Sequence, residues 1–151
     1  MSILIDGHSL SLSIIDAVAV NKEKIKVNPD VYERVDSSVN YVGDIVKNDQ
    51  VVYGINTGFG KLASTRIDNS QLSHLQVNLI RSHAVSVGKP LPESVVRAAI
   101  LIRVNSLLVG HSGIHREVID LLVSFLNEGI YPFIPAKGSL GASGDLSPLA
   151  H

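Results

Sequence analysis

The sequence predicts a mainly α-helical protein with a few short strands. Three observations lead there. Apolar residues recur at helical spacing over much of the chain, as in Val31, Val35, Val39, Val42 and Val46. Helix start and stop signals bracket those periodic stretches. The β-branched runs between them are only three or four residues long.

In order, Ile3–Ile5 reads as a short strand, and residues 9–20 as a helix with apolar residues at helical spacing. Residues 24–27 alternate like a second brief strand. A helix starts at Asn28-Pro29, because Asn caps free amides and Pro fits the first turn without its missing donor. Residues 51–53 are a third strand candidate, entering the turn-rich loop 54–60. The next helix is expected from Asp68, with Gln71 in a capping-box arrangement, toward Val87. Another opens at Pro92-Glu93, with its acid in the first turn, and ends near Gly110. The last spans about 114–128 and stops at Gly129. Tyr131-Pro132 and Ile134-Pro135 then force extended backbone into a glycine-rich loop. With no repeat, low-complexity tract or linker, the chain reads as one domain.

Composition narrows the function classes. The 151 residues are 45% apolar and 18% charged, enough for a hydrophobic core and unlike a disordered chain. A net charge of −1 with scattered basic residues argues against nucleic-acid partners. The absence of cysteine excludes disulfides and thiolate metal sites, and implies a reducing compartment. The start MSILIDGHS lacks the pattern of a signal peptide. The apolar runs at 98–102 and 107–109 are interrupted by Arg97, Arg103 and Asn105, too early to span a membrane. A soluble, cytoplasmic protein is expected, with no membrane partner. Arg97 and Arg103 are expected at the edges of an apolar helix with snorkelling stems. His8, His111 and His115 read as solvated or capping residues in loops and at helix starts.

Three stretches can carry chemistry. The first is GSLGASGDLSPLAH, residues 138–151. It can be a surface turn or flexible tail, or a phosphate cradle on Gly138, Gly141 and Gly144, although no Lys follows and prolines precede it. In a third reading, Ala142-Ser143-Gly144 condenses: the Gly144 nitrogen attacks the Ala142 carbonyl, and two waters leave. The product is a ring with an exocyclic methylidene, an electrophile that no standard side chain supplies. Such a ring needs a tight backbone, which flanking glycines tolerate.

The second stretch is YGINTGFGKLA, residues 53–63, where glycines make either a plain turn or a lid and Tyr53 is either a core aromatic or a base. The third is QVNLIRSHAVSVGKPL, residues 76–91. The helix that enters it carries His74, Arg81 and His83 together with the apolar residues Leu72, Leu75, Leu79 and Ile80. No carboxylate or cysteine stands at ligand spacing, so no metal site is expected.

The run ASGDLSPLA closely resembles the signature of the histidine and aromatic amino-acid ammonia-lyases, and the resemblance extends over the whole chain, residues 1–151. It implies the N-terminal region of the helical, fumarase/aspartase-like fold of that family, with the remainder of a longer enzyme absent. It also implies a methylidene-imidazolone built from Ala142-Ser143-Gly144 with Asp145 assisting, and no external cofactor. Tyr53 matches the family's catalytic base. Ser82-His83 matches the pair facing the substrate ring, and Ser-His there is typical of the histidine enzymes. The implied reaction is loss of ammonia from L-histidine to give trans-urocanate, in histidine catabolism, by a homotetramer. The second catalytic tyrosine and the substrate-binding arginine and glutamate would lie beyond His151, so the 151 residues alone would be inactive. The alternatives are a tyrosine or phenylalanine ammonia-lyase, an aminomutase, an inactive fragment and a phosphate-binding module.

Overall fold

A computed structural model describes residues 2–48, 50–139, 141, 144 and 146–151, with Asn69 described by its backbone alone. In chain order the elements are β1 (Ile3–Ile5), α1 (Leu12–Ala19), β2 (Ile25–Val27), α2 (Tyr32–Lys47) and α3 (Leu72–His83). Then come β3 (Val87–Pro90), α4 (Glu93–Leu107), α5 (Arg116–Glu128), β4 (Pro135–Lys137) and the single-turn α6 (Ser147–Ala150). The mainly helical expectation holds. The chain divides into two compact units, residues 1–41 with 91–133, and residues 42–90 with 134–151. Each is assembled from two separate stretches of sequence, which is why no linker composition marks a boundary.

In the first unit, β1 and β2 pair in parallel with Ile3 opposite Ile25, and α1 forms the crossover between them. Ser11 starts α1, its hydroxyl accepting from the Ile14 amide, so the helix begins later than the apolar spacing suggested. Asn28 accepts from the Asp30 amide and opens a 3-10 turn, Pro29–Val31, that feeds α2 as expected. The core is Ile5, Val18, Ile25, Leu101, Val104, Leu108 and Ile119, all fully buried. In α4 the buried residues Val96, Ile100, Leu101, Val104 and Leu107 follow the helical period. Each buried aliphatic side chain contributes about 1.5–3 kcal/mol. Gly129, in the left-handed region at φ 72°, ends α5, which opens at Arg116.

Arg97 overturns its sequence reading. It does not snorkel: it is 2% exposed, in the middle of the core. Its Nε and Nη2 donate to the Val18 carbonyl at 2.8 and 2.7 Å, and its Nη1 donates to the Leu126 carbonyl at 3.1 Å and to the Tyr131 hydroxyl. Val18 and Leu126 lie in the last turns of α1 and α5, whose carbonyls have no partner within their own helices. One guanidinium therefore caps two helix C-termini, where a cation is favoured. Arg103 is exposed, as are His8, His111 and His115. His115 stands at the N-cap of α5 without a side-chain capping bond.

In the second unit, β3 and β4 pair antiparallel, with Val87 opposite Lys137 and Pro90 opposite Pro135. Gly88, at φ +98°, accompanies the register shift between these pairs. The helix expected to reach Val87 ends at His83, and Val87 begins β3. Asp68 makes no capping box with Gln71. Its carboxylate accepts from the Ser70 amide and hydroxyl instead, and a 3-10 turn, Asn69–Gln71, leads into α3. No strand forms at 51–53: residues 51 and 52 are irregular and Tyr53 begins a turn over 53–55.

Candidate functional site

The Tyr53 loop is built around Asn56, which is fully buried. The Asn56 side-chain oxygen accepts from the Val52 amide at 2.9 Å, and its amide nitrogen donates to the Gln50 carbonyl at 2.7 Å. These bonds close residues 50–56 into a turn, which removes residues 51–53 from any β ladder. The Asn56 carbonyl in turn accepts from the Ile67 amide at 2.9 Å, and Thr57 bridges Arg66. Gly58 is required here, since a Cβ would come within 2.5 Å of the Leu62 Cβ. The loop whose glycines allowed either a plain turn or a lid is thus anchored at Asn56. Tyr53 stands on the anchored turn, 61% exposed, its ring edge-on to Phe59 with centroids 5.8 Å apart.

His83 closes α3 and is half-buried. Its Nδ1 lies 2.8 Å from the Leu79 carbonyl, which can only accept. Nδ1 therefore donates, and in that tautomer of the uncharged ring Nε2 holds the lone pair that can accept. Ser82 Oγ donates to the same carbonyl at 2.8 Å and lies 3.1 Å from His83 Nδ1, which braces the ring. His74 and Arg81, on the same helix, are exposed.

Of the tripeptide, Gly144 is described, while Ala142, Ser143 and Asp145 lie outside the described residues. The Gly144 amide donates to the Gly141 carbonyl at 3.1 Å, which brings these two described residues close together. Gly144 has φ +93°, and among the described residues no atom lies within 4 Å of where its Cβ would stand, whereas a Cβ on Gly141 would press on the Gly144 carbonyl oxygen at 3.3 Å. The phosphate-cradle reading finds no support here, because the helix after the loop is the single turn α6, too short for an appreciable dipole.

Tyr53, His83 and Gly144 belong to the same compact unit. Among the described residues no hydrogen bond joins them to one another, and no cluster of His, Asp or Glu could hold a metal ion. No helix among them is long and apolar enough to cross a membrane.

The family model for aromatic amino acid lyases matches residues 10–151. The chain belongs to the aromatic amino acid lyase family. Within it, the chain is 50% identical to a histidine ammonia-lyase of Geobacillus thermodenitrificans over 149 residues, which is 99% of this chain and 30% of that protein. Among solved structures, a histidine ammonia-lyase from Trypanosoma cruzi superposes with a TM-score of 0.88 at 39% identity, covering all of this chain and 29% of its own. A tyrosine aminomutase from Streptomyces globisporus superposes with a TM-score of 0.91 at 32% identity, covering all of this chain and 28% of its own. The chain thus spans about a third or less of the length of these lyase-family relatives.

Several residues that shape this site escaped the sequence reading. Asn56 looked like one more turn former among glycines, although its place three residues after Tyr53 was visible. Ser86, Ser147 and His151, which meet in the second unit, stand inside stretches singled out above, yet nothing in the sequence pairs them with one another. The Ser86 and Ser147 hydroxyls are hydrogen-bonded and buried, and the Ser86 amide donates to His151 Nε2 at 3.1 Å.

Proposed function

We propose that the full-length protein eliminates ammonia from L-histidine to give trans-urocanate. The observation that carries this reading is His83. With Nδ1–H committed to the Leu79 carbonyl, its Nε2 is an acceptor for the N–H edge of a substrate imidazole. A buried substrate edge left without such a partner costs about 1–3 kcal/mol, so an acceptor here selects imidazole over an apolar ring. Half the residues are shared with a histidine ammonia-lyase, which supports the same choice.

The electrophile is made from the chain itself. A bond forms between the Gly144 nitrogen and the Ala142 carbonyl carbon. The Ala142 oxygen leaves as water with the amide hydrogens of Ser143 and Gly144, and the Ser143 hydroxyl leaves as a second water with the Ser143 Cα hydrogen. The methylidene-imidazolone so formed supplies an electrophilic carbon that improves the substrate amino group as a leaving group. Tyr53 takes the β-proton as general base, its hydroxyl presented from a turn that Asn56 holds still. Asp145 assists ring closure. We infer a cytoplasmic homotetramer in which other segments complete the site.

The aminomutase reading is favoured by the superposition on tyrosine aminomutase and shares the same electrophile. Product analysis separates the two, since elimination releases free ammonia whereas a mutase returns an isomeric amino acid. Full-length protein incubated with L-histidine is expected to release ammonia and urocanate in equal amounts, and Tyr53→Phe to depress kcat at least a hundredfold (about 10²–10⁴ for a lost acid–base group) with little change in KM. A Tyr53→Phe enzyme that changes only KM would assign Tyr53 to binding.

A further inference from the structure

The buried hydroxyl pair Ser86 and Ser147 has no part in the chemistry above, yet it stands at an informative place. Lys137 pairs with Val87 across the β3–β4 ladder, and Ser147 bonds Ser86, the residue next to Val87. Both ends of loop 138–146 are therefore fastened to two adjacent residues. Ser147 is fully buried and Ser86 nearly so, so their bond forms away from water. From the same strand entry, the Ser86 amide donates to Nε2 of the exposed His151, one residue beyond α6. The segment after the loop is thus held at both ends of its single helical turn.

We propose that Ser86, Ser147 and His151 form a clamp that closes the base of loop 138–146 and so positions the tripeptide for ring closure. Bringing the ends of a free loop together costs chain entropy, and a fold that has already closed the base leaves less to be gathered in the cyclising step. Gly144, whose amide bonds the Gly141 carbonyl, stands three residues along the chain from the clamp residue Ser147. These are positioning residues: they touch neither substrate nor the reacting atoms. The inference rests on the lyase reading, because it concerns how that electrophile is made.

The test follows ring closure in newly synthesised full-length protein by intact mass, as two waters, about 36 Da, are lost. Ser147→Ala and Ser86→Ala are expected to slow this loss about three- to tenfold in protein that circular dichroism shows to be folded. His151→Gln, whose amide oxygen can still accept from the Ser86 amide, keeps the wild-type rate, and His151→Leu slows it. A purely structural role would lower melting temperature in these variants and leave the rate unchanged. Where the buried serine variants do not fold, the exposed His151 pair decides, and equal rates for His151→Gln and His151→Leu overturn the clamp. Wild type that cyclises together with variants that match it also overturns the clamp alone. Wild type that never loses the two waters overturns the lyase reading and the clamp with it.

Discussion

Replacing Arg97 with Met removes one cation from the centre of the first unit while roughly keeping its stem volume. Two helix ends lose their donor: the Val18 carbonyl gives up bonds at 2.8 and 2.7 Å, and the Leu126 carbonyl one at 3.1 Å. The Tyr131 hydroxyl loses its guanidinium partner, and the Tyr131 ring loses a cation 5.2 Å from its centroid. Each buried acceptor left without a donor costs about 1–3 kcal/mol. Relief of the desolvated charge offsets part of that sum. A net loss of about 3–5 kcal/mol is expected from the unpaired Val18, Leu126 and Tyr131 acceptors after that offset. At about 2–4 °C per kcal/mol for a chain this size, the melting temperature should fall by about 6–20 °C. Arg97→Lys keeps the charge but cannot fork between Val18 and Leu126, and should lie between Met and wild type. Thermal and urea unfolding followed by far-ultraviolet circular dichroism give both numbers. A Met variant within 1 kcal/mol of wild type would refute the reasoning and return Arg97 to the rim role the sequence suggested.

Two further outcomes are specific. His83→Leu should lower kcat/KM for L-histidine about five- to 150-fold while sparing phenylalanine, because only the imidazole edge loses its acceptor; equal losses on both substrates would make His83 part of the scaffold. Asp6 is held down at about 2 from an ordinary 3.8 by amide bonds from His8 and Ser9 and by the Ser9 hydroxyl. A lowered carboxyl pKa stabilises the fold above the unfolded value, so that contribution should fade as pH falls from about 4 through about 2, and Asp6→Asn should flatten the stability profile over that window.

What the sequence made legible follows from how local each signal is. Helix starts at Asn28 and Pro92 and the stop at Gly129 are written in one or two residues, and the structure has them there. Of the five valines that periodicity put on one face, Val31 and Val35 are buried and Val39, Val42 and Val46 are half-buried. The errors come where a distant partner decides. Val-Val-Tyr at 51–53 has strand propensity, but the Asn56 side chain takes the backbone bonds a ladder would need. Residues 84–87 continue an apolar pattern after α3, yet β4 recruits Val87 from fifty residues away. Arg97 looks like a helix-rim charge until α1 and α5 bring their carbonyl ends to it. In the site, the motifs marked Tyr53, His83 and the tripeptide, whereas Asn56, Ser86 and Ser147 act only through contacts that folding creates.

The central claim is that this chain makes its own electrophile, and intact mass of the active full-length protein tests it most directly. Wild type should weigh about 36 Da less than its sequence, and Ser143→Ala, which cannot form the methylidene carbon, should not reach that mass and should lose at least a thousandfold in kcat, about 4 kcal/mol of transition-state stabilisation. An active wild-type protein at its unmodified mass, or a Ser143→Ala enzyme within tenfold of wild type, would contradict the account.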